Sequence, residues 1–194
     1  MAEETGRSDA ALVAELNDLL QLDHDAVQAY TLAIQSLPLD AFHETLTRFR
    51  EDHERHVAEL SELIRARGGT PIGLPHLPTG AFKLAVQALG STGDHRAVLL
   101  AFKTNEGQVR DKYRRHADGS HPPEVEEVIR RAAEDEEKHY AWAEEMLERL
   151  GAGTDTVTGS VAEAFERVHA RTADAVEAAE RTAMEAVERL RRGT

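Results

Sequence analysis

Two apolar stretches of this sequence each carry a pair of ionisable residues three positions apart. His53 is followed by His56, and Glu136 is followed by His139. Residues at this spacing lie on one face of an α-helix, so both members of a pair can reach a common centre. Imidazole nitrogens and carboxylate oxygens are ligands that suit iron, manganese or zinc. The pairs therefore indicate metal binding.

Single carboxylates interrupt two further apolar stripes. Asp23 and Glu106 each stand where an apolar residue is expected, and each is followed seven residues later by a tyrosine, Tyr30 and Tyr113. Tyrosines at such positions are more often core residues with a satisfied hydroxyl than redox groups. Asp23 itself has a simpler alternative role, which is an ion pair with a protonated histidine nearby.

The two halves of the chain repeat this pattern. The segment Asp52-His53-x-x-His56 corresponds to Asp135-Glu136-x-x-His139. In the same way, Asp23 with Tyr30 corresponds to Glu106 with Tyr113. An approximate two-fold relation between the halves would place two equivalent half-sites face to face.

Proline and glycine divide the chain into stretches whose apolar residues recur every three to four positions, which predicts helices. Four long helices are predicted over about residues 8–36, 40–67, 94–119 and 122–151, with a short helix at about 79–89 inside a long crossover. This order predicts an all-α four-helix bundle over residues 8–151. Residues 1–7 are expected to form a disordered tail, and residues 155–192 an amphipathic C-terminal helix.

The ionisable residues share one level of the predicted bundle. Helix midpoints near residues 22, 53, 106 and 137 lie in one plane if four helices of similar length pack together. Buried ionisable groups persist when they are paired, protonated or bound to a cation. Three carboxylates and three imidazoles supply no permanent positive charge, so a metal is the simplest counter-ion. The predicted ligands are Asp23, His53, His56, Glu106, Glu136 and His139.

Composition excludes several other classes of function. Acidic residues exceed basic ones by 36 − 23 = 13, so the surface should repel nucleic acid and anionic lipid. The chain contains no cysteine, which excludes disulfides, thiolate nucleophiles and iron–sulfur clusters within it. Neither a signal peptide nor a membrane span is visible, which predicts a cytoplasmic protein.

With these residues the chain resembles the ferritin-like di-iron carboxylate superfamily, which includes the bacterioferritin and rubrerythrin-like four-helix bundles. Residues 135–142 match the D-E-x-x-H-x-x-W signature of that group, and residues 19–30 are similar to its first-helix motif. The resemblance implies a site for one or two iron ions, in which Glu136 is the bridging ligand, His56 and His139 each bind one metal, and Asp23 and Glu106 are terminal ligands. It also implies that Asp52 and Asp135 orient the ligand imidazoles, with Tyr30 and Tyr113 close by.

Two positions depart from the pattern of that superfamily. Asp23 replaces the usual glutamate, and His53 stands where a second bridging glutamate belongs. The chain therefore supplies three carboxylates where the superfamily has four. Three carboxylates balance the charge of two divalent ions less well, which favours an added hydroxide or oxide, or a single metal. The overall layout, including the P-T-G-A-F segment at 78–82, also resembles a sister group of ferritin-like bundles of undefined function.

Two functions from different classes follow. The first is a metalloprotein that oxidises Fe(II) or reduces peroxide in stress defence, with Mn or Zn as alternative metals and an external electron donor. The alternative is a metal-free interaction or stress protein with a hydrogen-bonded polar core. The apolar stripe of the C-terminal helix predicts a homo-oligomer. Seven histidines outside the pattern are expected to be surface residues: His24, His43, His76, His95, His116, His121 and His169.

Overall fold

A computed structural model describes residues 2–36, 40–75 and 95–150. Within them the chain forms four helices, α1 (Ala2–Ser36), α2 (Asp40–Ala66), α3 (His95–Ala117) and α4 (Pro123–Arg149). The all-α class and the four-helix bundle predicted from the sequence are confirmed. The short helix predicted at 79–89 and the C-terminal helix predicted over 155–192 lie outside the described residues.

The helix ends follow local sequence. After α2, Gly68 adopts a φ of 71° and its neighbour Gly69 donates a backbone hydrogen bond to the oxygen of Ile64, as at a glycine-terminated helix. Pro123 opens α4, where a missing N–H costs nothing. One boundary corrects a prediction, because α1 begins at Ala2 and makes residues 2–7 helical instead of a disordered tail.

Side-chain contacts fix the direction of each helix. Tyr30 meets Glu106 while Tyr113 meets Asp23, so α1 and α3 are antiparallel. Equivalent contacts make α2 and α4 antiparallel. Tyr30 packs against Phe49 while Asp23 lies beside His56, so α1 and α2 are antiparallel as well. Helices α2 and α3 therefore run in the same direction, which requires the long connection between them. The main packing pairs are α1 with α2 and α3 with α4.

The core consists of two apolar clusters separated by a polar layer. One cluster includes Leu46, Phe102 and Ala143, and the other includes Leu16, Leu60 and Ile129. Both clusters draw buried residues from all four helices, so the layer between them lies in the interior and not at a bundle end. No helix among the described residues has both the length and the apolar character needed to cross a membrane.

Candidate metal centre

The polar layer contains all six predicted ligands, and each is at most 1% exposed. Their donor atoms form two overlapping groups in which every atom lies within 4.8 Å of the others. Both groups contain His53 and Glu136. The first group adds Asp23 and His56, and the second adds Glu106 and His139.

Asp23 organises the first group. Its Oδ1 lies 2.9 Å from Nδ1 of His53 and 3.3 Å from Nδ1 of His56, and its Oδ2 accepts a hydrogen bond of 2.5 Å from the Tyr113 hydroxyl. An aspartate therefore reaches the layer from α1, although it is one methylene shorter than glutamate. The second group is more open: Tyr30 donates a 3.0 Å hydrogen bond to Oε2 of Glu106, which lies 3.7 Å from Nδ1 of His139.

Glu136 lies between the two groups. Its Oε1 is 3.6 Å from Nδ1 of both His53 and His56, and its Oε2 is 3.6 Å from Nδ1 of His139. These separations are too long for hydrogen bonds. Five buried atoms of the layer have no hydrogen-bond partner: both carboxylate oxygens of Glu136, Oε1 of Glu106, Nδ1 of His139 and Nε2 of His53.

Outer carboxylates orient two of the imidazoles. Nε2 of His56 lies 3.4 Å from Asp135, and Nε2 of His139 lies 3.2 Å from Asp52. Each histidine thus directs Nε2 away from the layer and Nδ1 towards it. Hydrogen bonds of this kind fix ring orientation and raise ligand basicity in metal sites.

Arg55 joins these two outer carboxylates, a role that the sequence analysis missed. Its Nη1 donates to Asp52 and its Nη2 donates to Asp135, each at 2.6 Å. Lys138 adds a 2.9 Å hydrogen bond to Asp135. The signal was present in the sequence, since Arg55 and Lys138 occupy equivalent positions, each directly before a histidine of the repeated pattern.

Replacing Arg55 by lysine should weaken this bridge, because a single ammonium cannot reproduce the planar fork that contacts two carboxylates at once. The Arg55 side chain is 40% exposed, so we expect a loss of only about 0.5–1 kcal/mol in the free energy of unfolding, measured by urea denaturation. Arg130→Lys is the matched control, because Arg130 forms an exposed pair with Glu134 on one helix. Equal losses in the two variants would contradict a bridging role.

Burial and neighbouring charge give the ionisable side chains of the layer very different pKa values. Burial raises the pKa of Glu136, and burial together with the charge of Glu136 raises that of Glu106. Burial would also raise the pKa of Asp23, but hydrogen bonds from His53 and His56 outweigh it and lower the pKa to about 2. Burial opposes protonation of His56, yet its hydrogen bonds with Asp135 and Asp23 raise the pKa to about 10.

Aromatic residues close one side of the layer. The Phe49 ring centroid lies 4.2 Å from that of His139, and Trp142 packs edge-on against Phe49 at 5.7 Å. Tyr30 packs against His53 at 5.2 Å. These contacts limit the rotation of two imidazoles and keep water from that side.

One group of histidines departs from its prediction. His116 and His121, expected as isolated surface residues, are half-buried and lie together beside Glu15. The sequence carried no periodic signal for this contact, because His121 lies in the turn between α3 and α4.

Comparison with known proteins gave two family matches. A family model described as Domain of unknown function (DUF2383) matches residues 11–115, just over half of the chain. A second model, described as Rubrerythrin, matches residues 99–193. No curated protein and no solved structure matches the chain.

Proposed function

Because this chain belongs to the DUF2383 family and adopts a ferritin-like four-helix bundle, we propose that its polar layer is a metal centre for one or two Fe, Mn or Zn ions. Asp23, His53, His56, Glu106, Glu136 and His139 are the proposed ligands. Asp52 and Asp135 act as their orienting partners. Tyr30 and Tyr113 hold the two terminal carboxylates.

The five unpartnered buried atoms carry this proposal. Buried polar atoms nearly always have a hydrogen-bond partner, and each one without a partner costs about 1–3 kcal/mol. These five come from four residues on three helices and lie in one layer, where a single kind of ligand could satisfy all of them. Every donor atom among them is an oxygen or an imidazole nitrogen, which fits iron, manganese and zinc.

The two half-sites differ in their number of donors. Glu136 has two free oxygens and can serve both halves, whereas a neutral imidazole has one lone pair, so His53 can serve one half at a time. Whichever half His53 serves has four protein donors, and the other half has three. A three-donor half leaves a coordination position for water or substrate, as catalytic metal sites do.

Bound iron would supply the redox chemistry for a ferroxidase-like activity, in which Fe(II) is oxidised or peroxide is reduced in stress defence. The chain's own part is to hold the ligands and keep the layer dry. Tyr30 and Tyr113 keep their protons, because burial raises the pKa of both hydroxyls well above the usual value. Without cysteine, the chain would take electrons from an external donor.

Elemental analysis after aerobic purification tests the proposal. We expect wild-type protein to carry about one to two metal ions per chain, as in bundles with paired carboxylate and histidine ligands. The double variant Glu136→Ala, His139→Ala should lose nearly all of the metal bound in the polar layer, because it removes the ligand shared by both halves and one of the ligand imidazoles.

Glu137→Ala, His43→Ala is the matched control for this experiment. It removes the same two residue types outside the polar layer, and it should retain the wild-type metal content. Equal, sub-stoichiometric metal in wild type and in the Glu136→Ala, His139→Ala variant would overturn the proposal.

Self-association through residues 155–192 stays a separate prediction, tested by the oligomeric state of a chain truncated after residue 154.

A further inference from the structure

A second group of metal-ligand side chains lies away from the polar layer. Glu15 on α1, His116 in the last turn of α3 and His121 in the following turn have donor atoms within 4.8 Å of one another. Glu15 precedes Asp23 by eight residues, which places it about 12 Å further along α1. The group is therefore separate from the metal centre proposed above and shares no residue with it.

The contacts within this group converge on one oxygen. Oε1 of Glu15 lies 2.6 Å from Nδ1 of His116 and 3.4 Å from Nε2 of His121. The three side chains are between 7% and 30% exposed, with His121 the most buried. A cation from solution could thus reach the group, while the surrounding protein limits the movement of its ligands.

The turn that carries His121 is held in place by its backbone. Gly119 donates a 3.0 Å hydrogen bond to the oxygen of His116, and Nε2 of His121 lies 2.8 Å from the same oxygen. A Cβ at Gly119 would lie 3.0 Å from both of these atoms, so the close approach favours glycine. Pro122 follows directly and restricts the chain on the other side. These contacts hold the imidazole of His121 close to Glu15.

We propose that Glu15, His116 and His121 form an independent binding site for a divalent transition-metal ion of the Zn²⁺ type. Two imidazoles and one carboxylate are a known zinc ligand set, with the fourth position open to water. Zinc–ligand distances of about 2.0–2.1 Å in a tetrahedron place neighbouring ligand atoms about 3.3 Å apart. The 3.4 Å separation of Glu15 and His121 already fits, and that of Glu15 and His116 must widen.

Metal binding at this site requires proton movement only at the two histidines. The hydrogen bond from His116 lowers the pKa of Glu15, so this carboxylate is already ionised at neutral pH. Nδ1 of His116 and Nε2 of His121 must each present a lone pair, so their protons move to the other ring nitrogen or to solvent. His121 then exchanges its contact with the backbone oxygen of His116 for the metal. The bound ion would join α1 to the α3–α4 turn.

The test is a titration with Zn²⁺ alone, followed by competition with a chromophoric chelator. The Glu136→Ala, His139→Ala variant is compared with the same variant carrying His121→Gln or Glu15→Gln. We expect each added substitution to weaken one zinc site by about tenfold or more, which corresponds to at least about 1.4 kcal/mol. His43→Gln in the same background is the matched control and should leave the affinity unchanged.

A second arm protects the test against poor folding of the combined variants. In the otherwise wild-type chain, His121→Gln should remove one zinc equivalent while the helical circular dichroism signal stays the same. If neither His121→Gln nor Glu15→Gln changes zinc affinity or stoichiometry in either background, the site does not exist. Because the central ligands are absent from one background and intact in the other, this outcome is independent of whether the central layer binds metal.

Discussion

Replacing Glu136 by methionine is expected to make the metal-free protein more stable while abolishing its stabilisation by metal. Methionine is similar in size to glutamate and brings no charge into a fully buried position. The substitution removes two carboxylate oxygens that lack partners, which should raise the free energy of unfolding by about 1–3 kcal/mol. It also removes the residue that contributes to both half-sites.

The measurement is thermal and urea unfolding after chelation, with and without added Fe(II) under anaerobic conditions, Mn²⁺ or Zn²⁺. In wild type, metal at a hundredfold excess over its Kd should contribute about 2.7 kcal/mol. For a chain of this size that is a rise of about 5–10 °C in Tm. The Glu136→Met variant should show no such rise.

Glu137→Met is the matched control, because Glu137 is the next residue of α4 and its side chain is 45% exposed. It should keep the full response to metal and leave the metal-free stability almost unchanged. A Glu136→Met protein that is less stable without metal and still stabilised by it would contradict the role assigned to Glu136. A hydrogen-bonded core that needs no metal predicts a Glu136→Met protein that is less stable than wild type, and no stabilisation by metal in either protein.

The metal-free protein should lose stability as pH rises from about 6.5 to 10. In this range folded His56, whose pKa is about 10, keeps a proton that the unfolded chain releases near its ordinary pKa of about 6.5. Burial raises the pKa values of Glu136 and Glu106, so these groups also hold protons in the folded state that the unfolded state has lost. Each such proton lowers the free energy of unfolding by up to about 1.4 kcal/mol per pH unit.

The metal-free protein should also lose stability when the pH falls below about 4. Because the folded-state pKa of Asp23 is lowered to about 2, its contribution is complete above its ordinary pKa of about 4 and is lost as pH falls below that value. Metal-free stability is therefore expected to be greatest in mildly acidic solution, as measured by urea unfolding across a pH series. With saturating metal the decline above pH 6.5 should disappear, because binding needs ionised carboxylates and neutral imidazoles. A metal-free protein whose stability rises from pH 6.5 to 9 would contradict these protonation states.

The sequence determined the helices and the level at which their ionisable residues meet. Apolar residues recurring every three to four positions can bury one face of each helix in one way only, so Asp23, Glu106 and Glu136 had to point inward with their stripes. Helix length then placed them in one layer, since residues rise by a fixed 1.5 Å. The apolar pattern does not set the start of α1, because helix ends depend on weak local preferences that several neighbouring residues satisfy equally.

Only the tertiary structure decided which side chains share partners across helices. Arg55 is a solvent-facing cation in the helical pattern, and its link to Asp135 depends on how closely α2 and α4 approach each other. Glu15, His116 and His121 have no common period, because the turn before Pro122 brings His121 back towards α1. Periodicity reports the direction in which a side chain leaves its own helix. The distance to another helix is set by packing between them, which a single sequence does not encode locally.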